Sequence, residues 1–211
     1  MDEALPDWQP SLRGERIALR PLRAEDQAAL HAAASDPAIW AQHPEPDRHE
    51  PEVFARYFAG AMHSGGALAV VDLATNAIFG TSRYYDWNPR EATVVVGYTF
   101  LARTHWGGAT NGELKRLMLA HAFQWARTVF FHVGPDNMRS RRALERIGAP
   151  RTHRGDDGHR PAKPAHGVPH RSAVGCVTRA REPRSSRPSP RRFASRASFA
   201  YHREYGDLPR R

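Results

Sequence analysis

The sequence predicts an α+β fold in three layers: a mixed, mostly antiparallel sheet flanked by helices. Three observations predict it. Three β-patterned runs follow one another between residues 67 and 101 with only turn signals between them, which favours antiparallel neighbours. A long amphipathic helix then separates the strongest of these runs from another apolar strand, the spacing of a helical crossover. Two further helical patterns precede the strands and one follows the crossover, giving the order β-α-α-β-β-β-α-β-α.

Arg16–Leu22 (RIALRPL) places Ile17, Leu19 and Pro21 at period two, a half-buried first strand ending at the proline. Ala24–Ala34 is Ala-rich with early acidic residues and reads as a helix. Ser35–Glu50 holds three prolines and reads as a loop. Pro51 opens a second helix whose apolar stripe is Phe54, Tyr57, Phe58 and Met62, ended by Gly65-Gly66. Ala67–Leu73 and Ile78–Tyr85 read as strands around a tight turn at Thr75-Asn76, with a second turn at Asp86–Arg90. Thr93–Leu101 (TVVVGYTFL) is the strongest strand. Gly97 in its middle marks a bulge or a close backbone approach.

Asn111–Arg127 is the clearest helix, with Leu114, Leu117, Met118, His121, Ala122 and Trp125 on one stripe. Thr110-x-x-Glu113 fits a capping box at its start. Val129–Val133 reads as a buried strand, and Asn137–Ile147 as a last helix stopped by Gly148.

The basic excess of the chain lies at one end. Of 31 Lys+Arg and 22 Asp+Glu, residues 151–211 hold 15 and 5, leaving a near-neutral 16 and 17 in residues 1–150. The chain therefore divides into a domain at 1–150 and an Arg/Pro-rich tail at 151–211. Only six of those 61 tail residues are Val, Ile, Leu, Phe, Met or Trp, too few to offset the entropy of ordering it. Its one strand-like run is Ser172–Thr178. Three readings fit the tail: a basic arm for RNA, the ribosome or an acidic partner, a weakly patterned version of closing strands, or the product of a shifted reading frame. Two Lys against 29 Arg match the codon bias of a GC-rich gene.

Cys176 is the lone cysteine, so no internal disulfide or Cys-rich zinc site forms, and no metal site is expected. Met1–Pro10 lacks the basic and apolar regions of a signal peptide, and no apolar run approaches the ~20 residues that cross a bilayer. A cytoplasmic protein without membrane contact is expected.

Four blocks in this chain resemble the GNAT acetyltransferase superfamily, in its RimJ/RimL-like branch, over about residues 12–149. They are Arg16-Ile17-x-Leu19-Arg20-Pro21-Leu22, Gly97-Tyr98-Thr99-Phe100-Leu101, His105-Trp106-Gly107-Gly108-x-x-Asn111-x-Glu113-x-Lys115, and Asn137-x-x-Ser140-x-x-Ala143-Leu144-Glu145-x-Ile147-Gly148. The resemblance implies a GNAT fold and acetyl-CoA as co-substrate. It also implies direct transfer of acetyl to an amine on a protein N-terminus, such as that of a ribosomal protein, or on a small molecule. A catalytically impaired coenzyme-binding domain is the alternative. Relatives occur as monomers or homodimers.

The same resemblance places the coenzyme pyrophosphate on the backbone of Trp106, Gly107, Gly108, Ala109, Thr110 and Asn111, where bare amides at a helix start suit an anion. This loop departs from the usual Arg/Gln-x-x-Gly-x-Gly/Ala pattern. It places the thioester near the backbone of Tyr98, Thr99, Phe100 and Leu101. Asn137 then orients groups around the pantetheine, and Ser140 donates a proton to the departing thiolate. From the residues alone, Asn137 and Ser140 equally suit a helix cap. No general base stands out: Val95 and Val96 occupy the stretch where some relatives carry Glu, and Glu91, Asp86, Tyr84 and Tyr85 read as surface or packing residues. His121 reads as a core histidine, and His43 as either a residue lining the acceptor pocket or an ordinary member of the Pro-rich loop. Lys115 and Arg116 read as phosphate contacts or a solvated helix face.

Overall fold

The computed structural model describes residues 5–134, 136–149, 151–152 and 173–178. Its elements are β1 (Leu12–Arg13), β2 (Ile17–Pro21), α1 (Gln27–Ala34), α2 (Pro51–His63), β3 (Ala67–Asp72), β4 (Ile78–Asn88), β5 (Thr93–Leu101), α3 (Thr110–Ala122), β6 (Thr128–Val133), α4 (Met138–Arg146), β7 (Arg151–Thr152) and β8 (Ala173–Thr178). Among the described residues the strands form one mixed sheet in the order β1-β2-β3-β4-β5-β6-β8-β7. Neighbours are antiparallel except β5 and β6, which are parallel and joined through α3.

Strand alternation divides the core. Ile17, Leu19, Leu68, Val70, Phe79, Tyr84, Val94, Val96 and Leu101 face α3, meeting Leu114, Met118 and Ala122. Ala67, Ala69 and Phe100 point the other way, against Leu30, Phe54, Tyr57, Phe58 and Ala61 of α1 and α2. The buried Tyr84 hydroxyl crosses to α3 and donates to the Met118 carbonyl at 2.7 Å.

Four expectations need correction. Met62 is 39% exposed and Ala61 closes the α2 stripe instead, because i+7 lies nearer the buried face than i+8 here. β4 runs on through Asn88 in place of a turn at Asp86. Asp86 takes a left-handed φ of 50°, absorbs a register shift, and lets Trp87 continue onto Trp8, ring centroids 5.3 Å apart. α3 stops at Ala122, five residues before Arg127. Tight turns there bring the Arg127 amide onto the Ala92 carbonyl and set β6 alongside β5.

The fourth correction concerns the capping box. Ala109 is the N-cap of α3 and no side chain caps it. Glu113 is buried and reaches the β1–β2 turn, where Oε1 accepts from the amides of Glu15 (2.6 Å) and Arg16 (3.0 Å). Gly14 leaves the room it needs, since a Cβ there would collide with that carboxylate. Glu113→Ala orphans both amides, and urea unfolding should show a loss of about 2–3 kcal/mol.

β8 covers the free edge of β6 over six residue pairs, and the strand-like run at 172–178 is observed as Ala173–Thr178. Apart from β7 and β8, the tail, on which the basic-arm and reading-frame interpretations bear, lies outside the described residues. Among the described residues no helix is long and apolar enough to cross a membrane.

Candidate functional site

The sheet opens where its one parallel pair loses contact. β5 and β6 pair only over Thr93–Val95 with Thr128–Phe130. β5 then runs on to Leu101 and β6 to Val133 with no further pairing between them. A bulge lies on the open part of β5. Thr81 faces Phe100 and Arg83 faces Gly97, so two residues, Tyr98 and Thr99, oppose the single Ser82. Tyr98 holds a φ of 51°, uncommon for a bulky residue, and its carbonyl accepts the Tyr57 hydroxyl at 2.8 Å. Gly97 packs against Tyr85, whose ring would lie 3.1 Å from an added Cβ. Of the two features read from this glycine, the bulge is present, at the next two residues, and the neighbour against it is a side chain rather than a backbone.

The mouth of the gap is the loop before α3. Gly107 takes a φ of 77°. The first helical bond runs from the Glu113 amide to the Ala109 carbonyl, so the Thr110, Asn111 and Gly112 amides have no partner within the helix. These amides, at the positive end of the helix dipole, form a cradle for an anion.

Three of the predicted blocks meet at this loop. The Trp106 indole donates to the Leu101 carbonyl at the end of β5 (2.9 Å). Arg139, from the first turn of α4, lies 4.0 Å over the Trp106 ring and donates to the carbonyls of Ala38 and Ile39. His105 stacks on Phe79 with ring centroids 3.7 Å apart.

Asn137 is the N-cap of α4, and its Oδ1 accepts the Ser140 amide at 3.0 Å. Its carboxamide oxygen is thereby engaged in the cap, while the Ser140 side chain is half-buried in the first helical turn. Phe100 and Leu101 send their side chains into opposite cores, so only their backbones can address the gap.

A polar thread enters from α3. Lys115 is buried, and its ammonium donates to Thr99 Oγ1 at 2.9 Å while lying 5.1 Å from the Phe131 ring of β6. Thr99 is also 2.7 Å from the Ser82 hydroxyl. Lys115 therefore stands between β5 and β6 where they part. No carboxylate pairs with it among the described residues, and burial lowers its pKa to about 7. Arg116, beside it, is exposed.

The opposite face of the bulge is aromatic and cationic. Tyr57, Tyr85 and Tyr98 surround Arg83, whose guanidinium lies 4.1 Å over the Tyr98 ring. Tyr85 Oη is 3.1 Å from His132 Nδ1. Arg48 packs 4.8 Å over Tyr57 and bonds to Glu45 and His43, which puts His43 at the margin of this cluster. His121 is buried and donates to the Asp7 carbonyl, a structural role. Sequence reading missed Arg83, Tyr57 and His132. Period-two placement beside Tyr85 was the one available signal for Arg83.

The Acetyltransferase (GNAT) domain family matches residues 16–150. No curated protein matches the chain. In fold it is similar to a GCN5-related N-acetyltransferase from Brucella melitensis, with TM-score 0.68, 21% identity, and 81% of this chain and 79% of that one covered. Mycobacterium smegmatis RimJ in complex with CoA-disulfide gives 0.59 and 18%, covering 82% and 89%. A candidate ribosomal-protein-serine acetyltransferase from Vibrio cholerae gives 0.61 and 14%, covering 82% and 99%.

Proposed function

Because the chain belongs to the GNAT acetyltransferase family and its chemistry is acetyl transfer, we propose that it moves acetyl from acetyl-CoA directly to an amine within one ternary complex. The observation that carries this reading is the unpaired stretch of β5 and β6, which ends at the uncapped amides of α3. The residues present fit the coenzyme: an anion cradle at one end, and a buried ammonium, Lys115, aimed into the gap. Acetyl-CoA supplies an activated acetyl thioester.

The backbone of Trp106, Gly107, Gly108, Ala109, Thr110 and Asn111 holds the pyrophosphate. Lys115 donates to the pantetheine arm. The bulge backbone at Tyr98–Leu101 offers an amide to the thioester carbonyl as negative charge grows on it. Ser140 relays to the departing sulfur the proton that the attacking amine sheds, and so ends neutral, and Asn137 positions Ser140 by capping its helix. The amine approaches from the Tyr57, Tyr85 and Tyr98 face. The lone Cys176 belongs to the tail, so a cysteine nucleophile is not part of the scheme. The likeness to the candidate Vibrio cholerae ribosomal-protein-serine acetyltransferase favours a ribosomal protein among acceptors; a small amine is the other class. The setting is cytoplasmic.

Calorimetric titration of the intact protein with acetyl-CoA tests the reading. Binding at about micromolar Kd, with thiol release on adding amine, is expected. A folded protein that takes up no acetyl-CoA would overturn it.

A further inference from the structure

We propose that the acceptor amine carries an oxyanion, a carboxylate or a phosphate, and that Arg83 receives it. This rests on the amine-acetylating reading above and names the class of acceptor. The site is the cluster beside the Tyr98 bulge, on the face of the sheet away from Lys115.

The charges in that cluster do not balance. Arg48 is neutralised by Glu45, with Nη2 and Oε2 2.6 Å apart. Arg83 is equally buried, at 7% exposure, yet no carboxylate lies within ion-pairing distance of it among the described residues. Among the described residues its one hydrogen bond goes from Nη1 to the Gly60 carbonyl at 3.1 Å, and its buried Nε has no partner there. Burial pulls the guanidinium below its ordinary pKa, as expected for a cation without a counter-ion.

A buried guanidinium is strongly disfavoured unless an anion compensates it, and its planar edge suits a carboxylate or phosphate with two oxygens. Stacking on Tyr98 (4.1 Å) and on Tyr57 (5.8 Å) orients the charge but does not neutralise it.

The position suits an acceptor. Arg83 pairs across the sheet with Gly97, adjacent to the bulge whose backbone serves the thioester. Tyr98 is 45% exposed, so the guanidinium lies one ring below the surface. Tyr98 also sits on left-handed backbone, conformational strain of the kind that collects at ligand clamps. An anion on Arg83 would anchor one end of the acceptor and leave its amine at the bulge.

Two measurements test this. The first is acetyl transfer to matched amines that differ in one anionic group: glycine and serine against their amides, and O-phosphoethanolamine against ethanolamine. The anionic partner should be used about tenfold or more efficiently, and Arg83→Met should bring the ratio near one. The carboxylate and phosphate arms decide which oxyanion is preferred. Equal use of neutral partners, or a preference that survives Arg83→Met, would overturn the proposal.

The second needs no turnover. The Arg83 Nε–H resonance, assigned by its loss in Arg83→Lys, should move saturably on titration with acetate or inorganic phosphate. A resonance that neither anion moves refutes the proposal, whatever the activity assay gives. Failure of acetyl-CoA to bind would instead refute the amine-acetylating reading and leave the resonance to decide on Arg83.

Discussion

Gly108→Asp is expected to weaken acetyl-CoA binding about 100-fold while leaving thermal stability unchanged or slightly raised. A side chain at Gly108 meets no atom within 4 Å in the free protein, so the fold has no steric reason to suffer. A carboxylate just before an uncapped helix start interacts favourably with the free amides and the dipole. Those same amides are the proposed pyrophosphate cradle. Like charges about 6 Å apart near a protein surface repel by roughly 3 kcal/mol per charge pair, enough for the stated loss. Calorimetric titration and a thermal melt on one preparation separate the two effects, and added salt should recover part of the affinity. Full affinity in the variant would place the coenzyme's anion elsewhere. A fall in both affinity and melting temperature would mean that the loop had collapsed. Gly107 is the contrasting position: its φ of 77° disfavours any side chain, so Gly107→Ala should also cost about 1 kcal/mol of stability.

What the sequence made legible was local. The run Thr93–Leu101 has the bounds of β5 because four β-formers precede one glycine and three follow it, and that glycine does mark the bulge. Asn137 and Gly148 bracket α4 through local chemistry: the side chain of one caps the Ser140 amide, and the backbone of the other takes a φ of 74°. What stayed hidden depends on partners distant in the chain. Glu113 stands where a capping box would put it, but its carboxylate answers two amides nearly a hundred residues away. Lys115 counts as a polar residue beside an apolar stripe, and only the parting of β5 from β6 gives its ammonium somewhere to go. Arg83 sits in a strand of otherwise ordinary pattern. That it is buried without a counter-ion among the described residues becomes visible only once α2 is laid over it.

Lys115→Met is expected to stabilise the protein and, in the same variant, to weaken its hold on acetyl-CoA. The Lys115 ammonium is buried with a single hydroxyl acceptor among the described residues, Thr99, and burial brings its pKa down to about 7. In the unfolded chain a lysine keeps its proton to about 10.4. Between those two values the unfolded chain binds one proton more than the folded one, so wild-type stability climbs as pH rises through this window. Below the window the folded ammonium is charged and the whole burial cost is present, roughly 4–5 kcal/mol for about three and a half pKa units. Above it the cost is gone. Methionine carries no such cost at any pH and keeps most of the packing volume. The stability gap between variant and wild type should therefore be widest near pH 6 and narrow by about 3 kcal/mol or more by pH 9.5. Urea unfolding of both proteins at the two pH values reads this directly, and every other titrating group cancels in the difference. A gap that does not change with pH would mean that Lys115 titrates as an ordinary surface lysine. Loss of the proposed donor to the pantetheine should meanwhile cost about 10- to 100-fold in acetyl-CoA affinity. A protein made more stable and less able to bind its coenzyme would identify Lys115 as a residue kept for the ligand at the expense of the fold.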